Sequence, residues 1–455
     1  MEFIKELKTI ITDNRVTTNE TVLNQHSLDE SHHEPSLPSV VAYPQNSEEV
    51  SNIVKIANKY KVPVTPFGVG SSLEGHVIPY DGGITIDFSL MNKILEVRDK
   101  DLLVTVQPGV TRTQLNKELK KYGLFFSVDP GADATLGGMA ATNASGTTSV
   151  KYGIMRDQVR DLEVVLADGT IIKTGNLAEK SSSGYHLNAL FVGSEGTLGI
   201  FTELTVKVIG IPEYTMDARA VFPSIEKAVD SVVSILQAGI PIARCELVDD
   251  RSMRQVNQFS KTEYIESPTL FLEFHGNKQG LLEDIEFTKA IVDEHGCKEI
   301  IFVSDSIESH QLWESRHNLA YAFIHGFPGR KMYLTDVSVP ISELSGAIMN
   351  AQEELLKFGL DGAILGHVGD GNYHTLLMID KRNPEEVKKA EAFNERLVKY
   401  ALSRGGTCTG EHGVGIGKKK YQKIEHGHAY EIMTALKKTL DPKCILNPNK
   451  IIDSY

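Results

Sequence analysis

Hydrophobic and polar positions alternate along the chain with two periods. The first residues, Met1 to Leu7, carry a short amphipathic helix pattern. Ser39–Pro44 reads as a short strand. Asn46-Ser47-Glu48-Glu49 then opens a helix with acidic residues in its first turn, where the helix dipole favours them. Val50, Ile53, Val54, Ile56 and Ala57 follow at helical spacing. Val62–Phe67 and Gly83–Asp87 read as strands on either side of a glycine-rich loop, and Leu162–Leu166 and Ile171-Ile172 as two more. From about Pro212 the composition changes. A helix over Ser224–Ala238, a strand over Leu270–Phe274, a helix over Leu281–His295 and a strand over Glu299–Val303 alternate, which suits an α+β layer with an antiparallel sheet. Further on, Ala363–Leu365 and Leu376–Ile379 are apolar runs around a glycine-dense loop, so strand, tight loop, strand is expected there.

With 455 residues the chain is long enough for two or three domains. The formal net charge of −13 argues against nucleic acid as a partner, because phosphate binding needs a basic surface. Cys245, Cys297, Cys408 and Cys444 are scattered without a CxxC pair, so a disulfide framework is not expected and a reducing compartment is the simpler reading. No apolar run reaches the length of a membrane span or a signal-peptide core. A cytoplasmic protein, with peripheral membrane contact left open, is the expectation.

Three small-residue segments stand out: Gly68–His76, Pro130–Gly146 and Gly193–Ile200. Glycine loops present consecutive N–H groups to a phosphate and let the backbone approach a ligand closely. The first does not have the Rossmann Gly-x-Gly-x-x-Gly spacing, since Leu73 stands where the third glycine belongs. A structural turn is an equally good account of the first loop alone, and a tightly packed helix-turn is an alternative for the second. Together the three point to one long cofactor carrying phosphates.

Two further loops carry chemistry. Gly366–His374 holds three glycines in nine residues together with His367 and His374, and Thr407–Gly415 sets Glu411 and His412 side by side. Two imidazoles and one carboxylate would leave a catalytic metal an open position. Hydrogen-bonded surface histidines explain the residues as well, and both readings stand. Arg316 follows the only tryptophan, Trp313, at helical spacing. Arginine grips carboxylates with two parallel bonds, although a lone helix arginine is more often solvated.

The ordered set of three loops resembles the FAD-binding domain of the vanillyl-alcohol oxidase superfamily, over about residues 37–211. The second half resembles the C-terminal domain of FAD-linked oxidases and, more narrowly, cytochrome-linked D-lactate dehydrogenases, glycolate oxidase flavin subunits and D-2-hydroxyglutarate dehydrogenases. The stretches that carry this are Arg316-His317-Asn318, Thr335–Pro340, Gly366–His374, Gly405–Lys418 and Asp441–Lys450. The resemblance implies an α+β protein with an FAD-binding domain of the vanillyl-alcohol oxidase type at 1–211, a substrate domain with an antiparallel sheet and metal site at 212–425, and a segment at 426–455 returning to the flavin. It implies FAD contacts from Pro66, Gly68, Val69, Gly70, Ser71, Ser72, Gly75 and His76 in the first loop. Pro130, Gly131, Thr135, Gly138, Asn143 and Gly146 are the expected contacts in the second, Glu195, Gly199 and Ile200 in the third, and Asn447 near the ring. The surroundings of His76 do not match a covalent flavin attachment, so FAD is expected to be non-covalent. Zn or Mn would be held by His367, His374 and Glu411. His412 matches the catalytic base, Arg316 the substrate-carboxylate arginine and Asn372 a polar substrate contact. Asn449 departs from the glycine usual there, though asparagine tolerates positive φ.

The implied activity is metal-assisted oxidation of a D-2-hydroxy acid, with D-lactate to pyruvate ahead of glycolate and D-2-hydroxyglutarate. Ala320 and Leu334 occupy places where a second substrate carboxylate would need polar partners. With no Rossmann fingerprint, electrons would pass to a quinone, a cytochrome or an electron-transfer flavoprotein rather than NAD. The resemblance leaves open a homodimer, an oxidase using O₂ directly, an alkyl-ether-lipid synthase, and a flavin-binding subunit of a larger complex.

Overall fold

The computed structural model describes the backbone of residues 1–455, and the side chains of Asp13 and His317 lie outside the described residues. His317 was one of the residues that carried the resemblance. The chain divides into two compact units. One comprises residues 1–145, 153–211 and 411–455, the other residues 146–152 and 212–410. The return to the first unit therefore falls at Glu411, where the sequence reading placed it at residue 426. The reason is local: Gly413 and Gly415 adopt positive φ, and a Cβ on Gly413 would come within 2.6 Å of His76 Nε2.

The first unit holds two main sheets. In the smaller, Ile84–Asp87 lies between Val40–Ala42 and Val64–Phe67 and is parallel to both, and Val16–Thr17 adds an antiparallel edge. The helix Ser47–Tyr60, capped by Asn46, buries Val50, Ile53, Val54 and Ala57. These join a core with Val40, Val64, Ile84, Ile86 and, from the end of the chain, Ile445 and Leu446. The larger sheet is antiparallel, in the order 94–98, 103–106, 200–207, 159–165, 171–173. Its core includes Val104, Leu162, Leu204, Leu136 and Met139.

Leu136 and Met139 belong to the second small-residue segment, which is in part a helix, Leu136–Thr142, rather than an open loop. Thr135 caps it by accepting from Gly138 N. Glycine is a poor helix former, but a Cβ on Gly137 would meet Pro108 at 2.5 Å. Close packing thus outweighs propensity here.

The second unit is built on an eight-stranded antiparallel sheet. Its order runs 299–303, 214–221, 269–276, 242–248, 362–366, 372–379, 331–334, with 337–338 pairing alongside 372–379. The helices Ile225–Gln237, Lys278–Glu294, Ser306–His317 and Leu344–Phe358 belong to the same unit. One core cluster gathers Val248, Phe271, Trp313, Phe323, Leu365 and Leu376. Among the described residues no helix is long and apolar enough to cross a membrane.

Candidate functional site

In the first unit the three glycine-rich segments are tied together by specific bonds. Pro66 ends the strand Val64–Phe67, and the loop from Gly68 follows it. The amides of Val69, Gly70 and Ser71 donate to no protein acceptor among the described residues, so the loop presents N–H groups as a phosphate requires. Ser72 is committed differently, its hydroxyl donating to Asp29 at 2.8 Å. The backbone N–H of Gly193 donates to Ala140 O and that of Glu195 to Ala141 O, each at 2.8–2.9 Å, which joins the third segment to the Leu136–Thr142 helix. Asn143 ends that helix in the left-handed region, and its side chain accepts from Arg156 N. Gly199 leaves no room for a Cβ beside Val164, and Ile200 begins the strand 200–207. Pro130 and Gly131 lie on the stretch leading to Thr135. Gly146 is the exception among these residues: it belongs to the second unit, where its N–H donates to Ser149 Oγ.

Glu195 and His76 are braces. Both side chains are buried. Glu195 accepts from Val414 N and Gly415 N at 2.7 and 2.8 Å, and its Oε1 lies 3.2 Å from His76 Nε2. Burial alone would lower the His76 pKa, but the carboxylates of Glu195, Asp29 and Glu74 together outweigh it and the net direction is up. Asn447 Nδ2 donates to the His76 and Glu195 carbonyls at 3.0 and 2.8 Å. Its Oδ1, Ser194 Oγ and His76 Nδ1 are buried without a protein partner among the described residues. Orphaned buried polar atoms beside a loop of unpaired amides fit a polar, phosphate-bearing cofactor.

The second unit holds the other polar cluster. The antiparallel pairing of 362–366 with 372–379 sets Leu365 opposite His374, so the Gly366–His374 turn brings the His367 and His374 rings to 5.7 Å, nearly perpendicular. Each ring is oriented through Nδ1. His367 Nδ1 lies 2.6 Å from Glu246 Oε1, and His374 Nδ1 lies 3.0 Å from Thr335 O. Both contacts are to acceptors, so each Nδ1 carries a proton, and in the neutral ring the lone pair is then on Nε2. That is the tautomer a metal ligand needs.

Two carboxylates organise this cluster, and the sequence reading assigned neither a role. Glu246 is fully buried on the strand Ile242–Val248. Its second oxygen accepts from Arg316 Nη2 at 2.7 Å. Burial alone would raise its pKa, but His367 and Arg316 together hold the carboxyl below its ordinary value. Asp336 accepts from Asn372 Nδ2 at 2.8 Å, Thr409 Oγ1 at 2.6 Å and Gly410 N at 2.9 Å, and lies 3.7 Å from His374 Nδ1. The signal for Glu246 was a carboxylate inside an apolar strand, since buried charges are paired.

Arg316 and Asn372 are partly committed within the protein. Arg316 retains a buried Nε without a partner among the described residues. Asn372 Nδ2 is shared between Asp336 Oδ1 and Val337 O, and the partnerless buried atom is the acceptor Oδ1. Asn372 therefore offers an acceptor, not a donor. Glu411 and His412 belong to the first unit, where Ser145 Oγ donates to Glu411 Oε2 at 2.9 Å.

Glycine loops tied around orphaned polar atoms in one unit, and tautomer-fixed histidines beside an arginine in the other, are the features of a flavin oxidoreductase. The chain belongs to the FAD-linked oxidases: residues 211–451 match the family model "FAD linked oxidases, C-terminal domain", and residues 38–175 match "FAD binding domain". It is similar to a protein of Danio rerio named probable D-lactate dehydrogenase, mitochondrial, with 45% identity over 99% of this chain and 91% of that protein. It is similar also to the glycolate oxidase subunit GlcD of Bacillus subtilis, with 35% identity over 94% of this chain and 91% of that one. Among solved structures, p-cresol methylhydroxylase with substrate bound aligns with a TM-score of 0.83 over 99% of this chain and 96% of that one. At 19% identity this shows the fold alone.

Proposed function

We propose that this chain is an FAD-dependent dehydrogenase that oxidises a D-2-hydroxy acid, D-lactate to pyruvate, and passes the electrons to an acceptor other than NAD. The observation that carries the reading is the pair His367 and His374, both pinned through Nδ1 so that Nε2 is the ligand atom of a neutral ring, beside an arginine whose Nε has no partner among the described residues. Ligand imidazoles held by an outer oxygen are a regular feature of metal sites. We assign Glu411 as the third ligand of a divalent ion, Zn or Mn. It follows Gly410 directly, and the Gly410 amide is held by the same Asp336 that lies beside His374.

When bound, FAD supplies a two-electron acceptor and the divalent ion supplies a Lewis acid that makes a hydroxyl easier to deprotonate. The chain's own residues do the rest. Arg316 binds the substrate carboxylate through Nε, while Glu246 holds Nη2 and keeps the guanidinium plane fixed. Asn372 supplies a polar contact to the substrate through Oδ1. His412 takes the hydroxyl proton as general base. Half-buried Ala320 and Leu334 favour the small methyl of lactate over a second carboxylate. The turn of His76 Nε2 toward Glu195 favours non-covalent FAD.

The similarity to a glycolate oxidase subunit keeps glycolate as the second substrate reading. Anaerobic bleaching of the flavin absorbance by D-lactate, L-lactate, glycolate and D-2-hydroxyglutarate, each with and without chelator, tests the proposal. Fast bleaching by D-lactate that chelator abolishes is expected. Bleaching by glycolate instead would change the substrate and keep the mechanism, and no bleaching by any of the four would sink the hydroxy-acid reading.

A further inference from the structure

Glu246 lies between two side chains that the proposed reaction gives separate tasks. Strand register puts it there. Leu247 pairs with Gly366, so the residue before Leu247 neighbours the residue after Gly366, which is His367. From the other side the helix Ser306–His317 presents Arg316. That helix is anchored one turn earlier by Trp313, whose Nε1 donates to the buried Asp217 at 2.9 Å. The Glu246 carboxylate is fully buried and divides its oxygens, Oε1 to His367 Nδ1 at 2.6 Å and Oε2 to Arg316 Nη2 at 2.7 Å.

We infer that Glu246 is a positioning residue that sets metal affinity through His367 and substrate affinity through Arg316 with one carboxylate. The inference rests on the proposed metal and hydroxy-acid reading. Glu246 touches neither ion nor substrate, and it acts by fixing a tautomer and a guanidinium plane.

His367 Nδ1–H and Arg316 Nη2–H both need an acceptor, and a carboxylate offers one on each oxygen. A glutamine has the same shape but only one acceptor oxygen. In Glu246→Gln the amide NH₂ must face one of the two partners. If it faces His367, the ring can satisfy it only by moving its proton to Nε2, which removes the ligand lone pair. If it faces Arg316, a buried guanidinium N–H loses its partner and its negative counter-charge. A carboxylate whose only task was to neutralise Arg316 would leave metal uptake untouched when replaced.

The experiment compares wild type with E246Q, both loaded with FAD. Zn²⁺ and Mn²⁺ are titrated calorimetrically into chelator-stripped protein, and KM and kcat for D-lactate are measured at saturating metal. Metal affinity is expected to fall about 10- to 100-fold, the loss usual for an outer partner of a ligand histidine. KM is expected to rise at least about tenfold, an estimate for weakening one charge-assisted carboxylate contact, with FAD content unchanged. If E246Q does not fold, Glu246→Asp takes its place: a side chain one methylene shorter reaches one partner at a time, so one of the two constants moves. Metal affinity and KM both within about twofold of wild type would overturn the inference while leaving the reaction itself in place. A wild-type protein that takes up no divalent ion would overturn the metal reading and this inference with it.

Discussion

Asn447 donates its side-chain N–H to the carbonyl of Glu195 at 2.8 Å, across 252 residues of chain, and the same nitrogen also reaches His76 O at 3.0 Å. One amide thus pins the ends of two glycine-rich loops. Asn447 itself sits at φ +37°, a conformation that asparagine adopts more readily than alanine. Asn447→Ala removes both bonds and adds backbone strain, a loss of about 1–3 kcal/mol. The expected outcome is FAD dissociation faster by roughly tenfold or more, with the second unit's sheet intact. Flavin fluorescence on dilution measures it, and an unchanged release rate would show that the loops are held elsewhere.

His367 and His374 are held through Nδ1 by different acceptors, so each is expected to contribute to metal uptake independently of the other's orientation. His367→Ala and His374→Ala should each lose bound metal on gel filtration and each lose turnover by at least about two orders of magnitude, since the metal is asked to activate the hydroxyl. Metal content by mass spectrometry decides it. Full metal and full turnover in His367→Ala would remove the site assignment.

Arg316 is held by Glu246 through one nitrogen and keeps a buried Nε without a partner. Lysine carries the charge but cannot serve two partners from fixed, planar positions. Arg316→Lys is therefore expected to raise KM for D-lactate by about 10- to 100-fold, roughly 1.4–2.8 kcal/mol of lost carboxylate binding. The flavin reduction rate at saturating substrate should fall less. Steady-state kinetics beside stopped-flow flavin reduction separates the two. A variant that loses reduction rate at unchanged KM would place Arg316 away from the substrate carboxylate.

Sequence made the loops visible and left the braces hidden, for a physical reason. Glycine density and paired histidines are local signals, so Gly68–His76 and Gly366–His374 stand out within nine residues each. The antiparallel layer could be read from Leu270–Phe274 and Glu299–Val303, because the period of a strand is also local. Glu246 was hidden because its meaning lies in partners 70 and 121 positions away. Asp336 was hidden likewise, since Thr409 and Gly410 come to it from 73 and 74 residues downstream. The Leu136–Thr142 helix shows the converse: local propensity spoke against it, and packing of Gly137 on Pro108 decided it.

Asp249 gives the second unit a pH dependence that can be worked out in sign. Its carboxylate caps the helix Asp250–Ser260 by accepting from Ser252 N at 2.7 Å, and it accepts from Ile364 N at 2.6 Å on the strand that leads into His367. Burial pushes its pKa up to about 6, against the pull of those two amides, while the unfolded chain keeps an ordinary value near 3.9. A folded pKa above the unfolded one means that the folded protein takes up the proton first as pH falls. The burial cost is thus present in full above pH 6 and is recovered progressively between about pH 6 and pH 4, by up to about 3 kcal/mol. Asp249→Asn does not titrate: it is free of that burial cost at every pH and loses one of the two accepted bonds. The melting temperature of wild type relative to that of the variant should rise as pH falls from 7 to about 4.5 and stay constant from 7 to 8. Differential scanning of both proteins across that range measures it, and a gap that does not change with pH would mean that Asp249 is ionised throughout in the folded state.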